Sequence, residues 1–333
     1  MITKEQALVY ASMDRHGVIY SENGYAAGLF VLGAELYVAP RERTQLRLDM
    51  LDVQEDYWMR FNEHLVRMGY QSEKKPDEQR CNLKNGENPF PWVRREIGNF
   101  NPLDAYANQI YCKPEHPDFP DRRKFKIFPW ESGFMVVSED ENELSFHGAS
   151  IPISDGKGGL HFDILRDCML AWAKRLRPAH GLAGLAIKMS DTTTDGPYIH
   201  PTLKKYIGLD VHDPLEFAFE AREIHNRIKC VNWLTVLGDA ILEELGGLAV
   251  VKNALEPECT LYPYPGGVMI QAGEAPRLGD VDVSGSSELL IPYRKVASIT
   301  RPVRFMDYKS SLFRVEKPLI GKEEAKKWVS RFD

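Results

Sequence analysis

Histidine, carboxylate and glycine spacings are where chemistry would show first in this chain. His116-Pro117-Asp118 and His161-Phe162-Asp163 each set an imidazole two residues from a carboxylate, a pairing that could bind a metal or relay a proton. Neither has the HExxH or EF-hand spacing, in which helix pitch or loop geometry brings ligands together. Both read as loop or helix-start histidines. Gly156-Lys157-Gly158-Gly159, ahead of an apolar periodic stretch, could cradle a phosphate on backbone N–H groups. It lacks the GxxxxGK and GxGxxG patterns, so a simple turn is the better reading. No GxSxG elbow occurs, and Cys81, Cys112, Cys168, Cys230 and Cys259 form no CxxC pair or catalytic pattern. The sequence therefore predicts no catalytic constellation, no metal and no cofactor. A rival reading is a metal-dependent hydrolase whose site assembles in space from His147, His161, His180 and His200.

Two acidic clusters carry the remaining functional signal. Asp49, Asp52, Glu55 and Asp56 fall on a predicted long helix, and Glu139, Asp140, Glu141 and Glu143 crowd a predicted turn. Like-sign clusters of this kind steer a basic protein partner and raise its on-rate more than its affinity. Plain solubility is the alternative. A net charge of −6 argues against direct nucleic-acid binding, which wants clustered Lys and Arg.

At 333 residues, 43% apolar and 27% charged, the chain has the make-up of a globular protein with a sizeable core. No apolar run approaches the roughly 18–20 residues that cross a bilayer, and MITKEQALVY lacks the basic and apolar regions of a signal peptide. Scattered cysteines, odd in number, fit a reducing compartment. These features predict a cytoplasmic protein with no membrane partner.

The elements that would position these groups are organised around Ile228 to Gly247, IKCVNWLTVLGDAILEELGG. Val231, Trp233, Thr235 and Leu237 alternate as in a strand, with Asp239 as the N-cap of a short helix and Gly246-Gly247 as its stop. Ala26 to Val38 predicts a strand. Arg41 to Met68, free of Pro and Gly, predicts one long helix closed by Gly69. Residues 71–130, rich in Pro and aromatics, read as an irregular segment packed on the body and a possible sub-domain boundary. Strands follow at Gly133–Val137 and Leu144–Ile153, then a helix from Leu160 to Leu176 and a strand at GLAGLAIKM. His200-Pro201 and Asp213-Pro214 each open a short helix, the second reaching about Asn226. Gly267–Gln271 predicts a strand, Tyr293–Ile299 is ambiguous, and Glu323–Phe332 predicts a helix. Without strict βαβ alternation, the pattern implies an α+β fold with an antiparallel or mixed sheet, and residues 1–333 as a single domain.

Specific stretches resemble the TsiV-like immunity family of type VI secretion. They are VNWLTVLGDAILEELGG, GGVMIQAGEAPRLGDV from Gly266, YRKVASITRPVR from Tyr293, AWAKRLRPAHGLAGLAI from Ala171 and HPTLKKYIGLDV from His200. GLFVLGAELYVAPRER and the helix after it also look like the family's opening, so the resemblance spans most of residues 25–305. It implies a non-enzymatic antitoxin that binds a cognate antibacterial effector, often a nuclease, in the cytoplasm. An adaptor that loads the effector for secretion is the other binding role. Asn232, Trp233, Gly238, Gly246, Gly247, Gly279, Tyr293, Arg301 and Pro302 recur in the family and read as structural: turns, core aromatics and strand ends. A buried Asn232 would need hydrogen-bond partners.

Overall fold

Thirteen consecutive residues, Ala26–Val38, are all buried in one strand. The run AAGLFVLGAELYV is nearly all apolar, as a strand must be when both its faces are covered. The computed structural model describes residues 4–72, 75–83, 87–101, 103–138, 142–190 and 194–333. In chain order, the first elements are α1 (Lys4–His16), β1 (Val18–Tyr20), β2 (Ala26–Val38), α2 (Arg43–Phe61), β3 (Leu65–Ser72) and β4 (Lys75–Asn82). There follow α3 (Phe90–Asn99), β5 (Tyr106–Cys112), β6 (Glu131–Val136), β7 (Ser145–Ile151), α4 (Phe162–Leu176) and β8 (His180–Met189). The next are α5 (Gly196–Lys205), β9 (Asp210–Val211), α6 (Pro214–Ala221), β10 (Leu234–Gly238), α7 (Asp239–Glu244) and α8 (Leu248–Leu255). The last are β11 (Cys259–Tyr264), β12 (Gly267–Ala272), α9 (Ile291–Thr300) and α10 (Gly321–Val329).

The twelve strands of the described residues join one sheet in the order β11-β12-β10-β8-β2-β7-β6-β5-β3-β4, with β1 beside β2 and β9 beside β8. Among the strand pairs of the described residues, only β8–β9 is parallel. This is the expected α+β class, and β2 is its spine. Leu36 on β2 sits opposite His147 on β7 and Gly181 on β8. Because side chains alternate along a strand, β2 serves two layers. The face carrying Leu36 meets α4, whose Phe162, Leu165, Cys168, Met169, Trp172 and Leu176 are all buried, as the helical period predicted. The same layer holds α2, where Gln54 donates to the Ser132 carbonyl at 3.0 Å and Tyr57 to that of Ser150 at 2.8 Å. The opposite face carries Glu35 and Tyr37 and meets α6, with the Tyr37 and Phe217 rings 4.9 Å apart.

Several expectations need correction. The long helix stops at Phe61, and Leu65 to Met68 begin β3, so Gly69 lies mid-strand and caps nothing. Pairing on both edges, with β4 and β5, fixes β3 as a strand despite its helix-compatible composition. Residues 71–130 are not irregular throughout. They supply β4, α3 and β5, and β5 ties the segment into the sheet through β6. Most of its aromatics pack inward, with Phe90, Tyr106, Tyr111, Phe119 and Phe125 buried, while Trp92 stays exposed. Pro201 lies within α5, which starts at Gly196, and does not open it. Arg222, at φ 45°, ends α6 well short of Asn226. Gly238 caps α7 in place of Asp239, and Tyr293–Ile299 is helical within α9.

The central motif forms core. Trp233 is fully buried, and its indole donates to the Gly273 carbonyl at 3.2 Å. Asn232 finds the partners that burial demands. Its amide donates to the Leu185 carbonyl at 3.3 Å, and its Oδ1 accepts from the Trp233 N–H at 2.7 Å. Gly184 permits this approach, because a Cβ there would lie 2.4 Å from that oxygen.

Candidate partner-binding surfaces

The acidic residues of α2 are turned into a network inside the chain. Asp49 accepts from Arg41 at 2.9 Å and from Gln45 at 2.9 Å, and Arg175 approaches it at 3.1 Å. Asp52 pairs with Arg94 at 2.5 Å and also with Arg175. Glu55 pairs with Arg94 at 2.6 Å. Asp56 takes Arg60 at 3.0 Å and the Trp172 indole N–H at 2.8 Å. Four carboxylates thus face four guanidinium groups drawn from α2, α3, α4 and the turn before α2. The local charge cancels, and with it most of the long-range field by which such a face would steer a partner. The network joins α2 to α3 and α4.

Of the acidic turn, Glu139, Asp140 and Glu141 lie outside the described residues. Glu143 is half-buried. Beside it, the Asn142 carbonyl accepts from His225 Nε2 at 2.8 Å, and the Leu144 N–H donates to the Arg222 carbonyl at 3.2 Å. The described end of the turn therefore abuts the segment that leaves α6.

That helix is unusual. Phe217, Ala218 and Ala221 face the core, yet Leu215 is 40% and Phe219 49% exposed, one turn apart on the outer side. Ile224 and Met306 add further exposed apolar surface. Ile224 joins Phe219 in lining one groove, of about 620 Å³, and joins Met306 in lining a second. On its other flank, Pro214 and Leu215 border a concavity of about 380 Å³ over β5, β6 and β7, where Gly133 and Gly148 keep the sheet surface low. Lys188 and Glu131 pair at 2.6 Å in this hollow.

Behind α6 lies a buried ionic cluster. Lys229, 1% exposed, donates to Glu35 at 2.9 Å and to the Val211 carbonyl at 2.7 Å, with Asp210 at 3.5 Å. Glu35 also accepts from the Tyr37 hydroxyl at 2.7 Å and from the Asp213 N–H at 2.9 Å, and His212 lies 3.3 Å away. Burial works to raise the Glu35 pKa, but Lys229 and His212 outweigh it and bring it to about 2. Asp210 moves the other way: burial raises it, and its share of the single ammonium does not compensate.

The four histidines of the hydrolase reading do not converge. His147 is on β7, its Nε2 3.0 Å from Ser132 Oγ, and it packs on Trp172 in the α4 layer. His180 stacks on Tyr37 at 4.7 Å in the α6 layer. His161 bonds the Pro152 carbonyl at 2.9 Å, and His200 faces Glu324 at 3.3 Å. Burial pushes both His147 and His180 down to about 3, holding them neutral. Among the described residues, no group of three or more His, Cys, Asp or Glu is placed to hold a metal ion. Nor, among them, is any helix long and apolar enough to cross a membrane.

A family model described as TsiV, type VI immunity for VRR-NUC, matches residues 152–332. The chain belongs to the TsiV family. The fold of this TsiV chain is similar to that of the Pseudomonas aeruginosa T6SS protein PA0821, with a TM-score of 0.73 at 22% identity, over 96% of this chain and 88% of that one. No curated protein matches it. As a TsiV member, the chain is expected to present a surface to a protein, and sequence reasoning missed the outer side of α6. The signal was available. PLEFAFEA carries apolar residues beyond the side that Phe217, Ala218 and Ala221 bury, broken only by Glu216 and Glu220, and a helix that can bury only one side in its own core leaves the other for something else.

Proposed function

We propose that this protein is the immunity partner of a type VI secretion effector with a VRR-NUC nuclease domain, and that it acts as a stoichiometric cytoplasmic inhibitor, not as an enzyme. The match of residues 152–332 to the TsiV family carries this reading. The dispersal of the histidines supports it, since an inhibitor needs a surface and no reacting groups. About 800 Å² per partner suffices for a stable interface, provided that a few apolar or Arg anchors are fully covered. A nuclease must present cations to the phosphates of its substrate, so the acidic balance of this chain suits such a partner.

The test is rescue. The VRR-NUC domain of a type VI effector from the same organism is induced in a bacterial cytoplasm, with and without the protein. Survival only when the protein is present, with a complex that co-purifies, is the expected outcome. Killing that continues despite a complex would indicate an adaptor. Killing with no complex would refute both binding roles. Stoichiometric zinc or manganese in the purified protein would instead favour the hydrolase.

A further inference from the structure

The carboxylates of α2 and those on and just after α6 differ in one physical respect: whether the molecule supplies their counter-charges. On α2 every carboxylate has a guanidinium within about 3 Å, as an internal ion pair does. On and just after α6, Glu216, Glu220 and Glu223 have no cation within ion-pair distance among the described residues. Three nearby basic groups are committed elsewhere, Arg227 to Glu244 at 2.9 Å, Arg304 to Asp333 at 2.7 Å and Lys309 to Asp307 at 2.6 Å, and the exposed Arg222 offsets only part of the charge of the three glutamates. Glu220 instead caps the backbone N–H groups of Lys309 and Ser310 at 2.7 and 2.8 Å. Burial and the neighbouring Asp213 and Glu220 push the Glu216 carboxyl up, so negative charge is crowded here. The same helix exposes Leu215 and Phe219, with Ile224 beyond it.

We infer that the outer side of α6, with the 222–224 segment that follows it, is the docking surface for the basic face of the VRR-NUC nuclease domain. This rests on the immunity reading above. Phe219 and Leu215 are the apolar anchors, and the glutamates receive Lys or Arg side chains that would otherwise contact nucleic acid. The concavities flanking the helix make α6 a ridge, a shape suited to entering a nuclease's substrate groove.

The experiment measures binding of the purified 333-residue chain to the catalytically inactivated VRR-NUC domain used in the rescue test. Phe219→Ala should weaken binding by about tenfold or more, the loss typical of a central anchor. Glu223→Lys, at an exposed position, should slow association several-fold at low salt and leave dissociation nearly unchanged. Thermal melting shows whether each variant is folded, and Glu223→Lys breaks no hydrogen bond or ion pair among the described residues, so it stands as the second test if Phe219→Ala is unstable. If the wild type binds and folded variants bind equally well, the α6 surface is wrong and the immunity reading survives. If the wild type does not bind, both fall.

Discussion

Lys229→Met removes one ammonium from the middle of the molecule and leaves its carboxylates behind. The methionine stem fills nearly the same space, so the loss is electrostatic. At neutral pH the Glu35 carboxyl is held near 2 against an ordinary 4.5, and at 1.36 kcal/mol per pH unit that difference is worth about 3 kcal/mol. Breaking a buried pair from one side costs about 3–5 kcal/mol, a consistent figure. Set against a total stability of roughly 5–15 kcal/mol, this is a large share. The pH dependence gives a sharper test. A carboxyl with a lowered folded pKa contributes stability above its unfolded pKa and loses it as pH falls toward the folded one. The gap between wild type and Lys229→Met should therefore narrow by about 2 kcal/mol between pH 7 and pH 3. Urea unfolding at the two pH values, followed by Trp fluorescence, measures it. Adding Glu35→Gln to Lys229→Met should recover part of the loss, because no Glu35 charge is then stranded. A gap under about 1 kcal/mol at pH 7, or one that stays constant with pH, would refute this account of the cluster.

His147 and His180, both held near 3, take up protons on unfolding at any pH between there and 6.5, so overall stability should fall as pH drops below about 6. His180→Phe, which keeps the stack on Tyr37 and removes two ring nitrogens without hydrogen-bond partners, should flatten that slope in the same urea assay without loss at pH 7. Asp52→Asn on α2 should cost less than about 1 kcal/mol in thermal melts, as partly exposed pairs do, and should leave association with the nuclease domain unchanged. Gly184→Ala should destabilise by about 1–3 kcal/mol, because its methyl would displace the Asn232 side chain from the Trp233 N–H.

What the sequence made legible was local. β2 and α4 were readable because their apolar residues satisfy one period over many residues: continuous in β2, and every third or fourth residue in α4. The end of α2 was not. Leu65 and Met68 suit a helix as well as a strand, and the choice is made by β4 and β5, which come later in the chain. The acidic residues of α2 were visible as a cluster, but their neutralisation depends on Arg94 and Arg175, brought in by helices more than 35 residues downstream. Lys229 gave no signal at all. A lysine flanked by Ile228 and Cys230 reads as a strand residue pointing to solvent, until Glu35, 194 positions earlier, is placed beside it.

The position of β2 bears on how this protein can diversify. The family match begins at residue 152, yet β8 within it is zipped for ten residues to β2, which lies outside it. β2 also brings the carboxylate that Lys229 needs. The half carrying the family signature is therefore not a cassette. A recombination event that exchanged it with a relative's would mate foreign β8 and Lys229 with a resident β2, and would succeed only where those two surfaces had stayed compatible. New partner specificity is more readily reached by point changes on the outward side of a ridge such as α6, which the spine of the sheet does not feel.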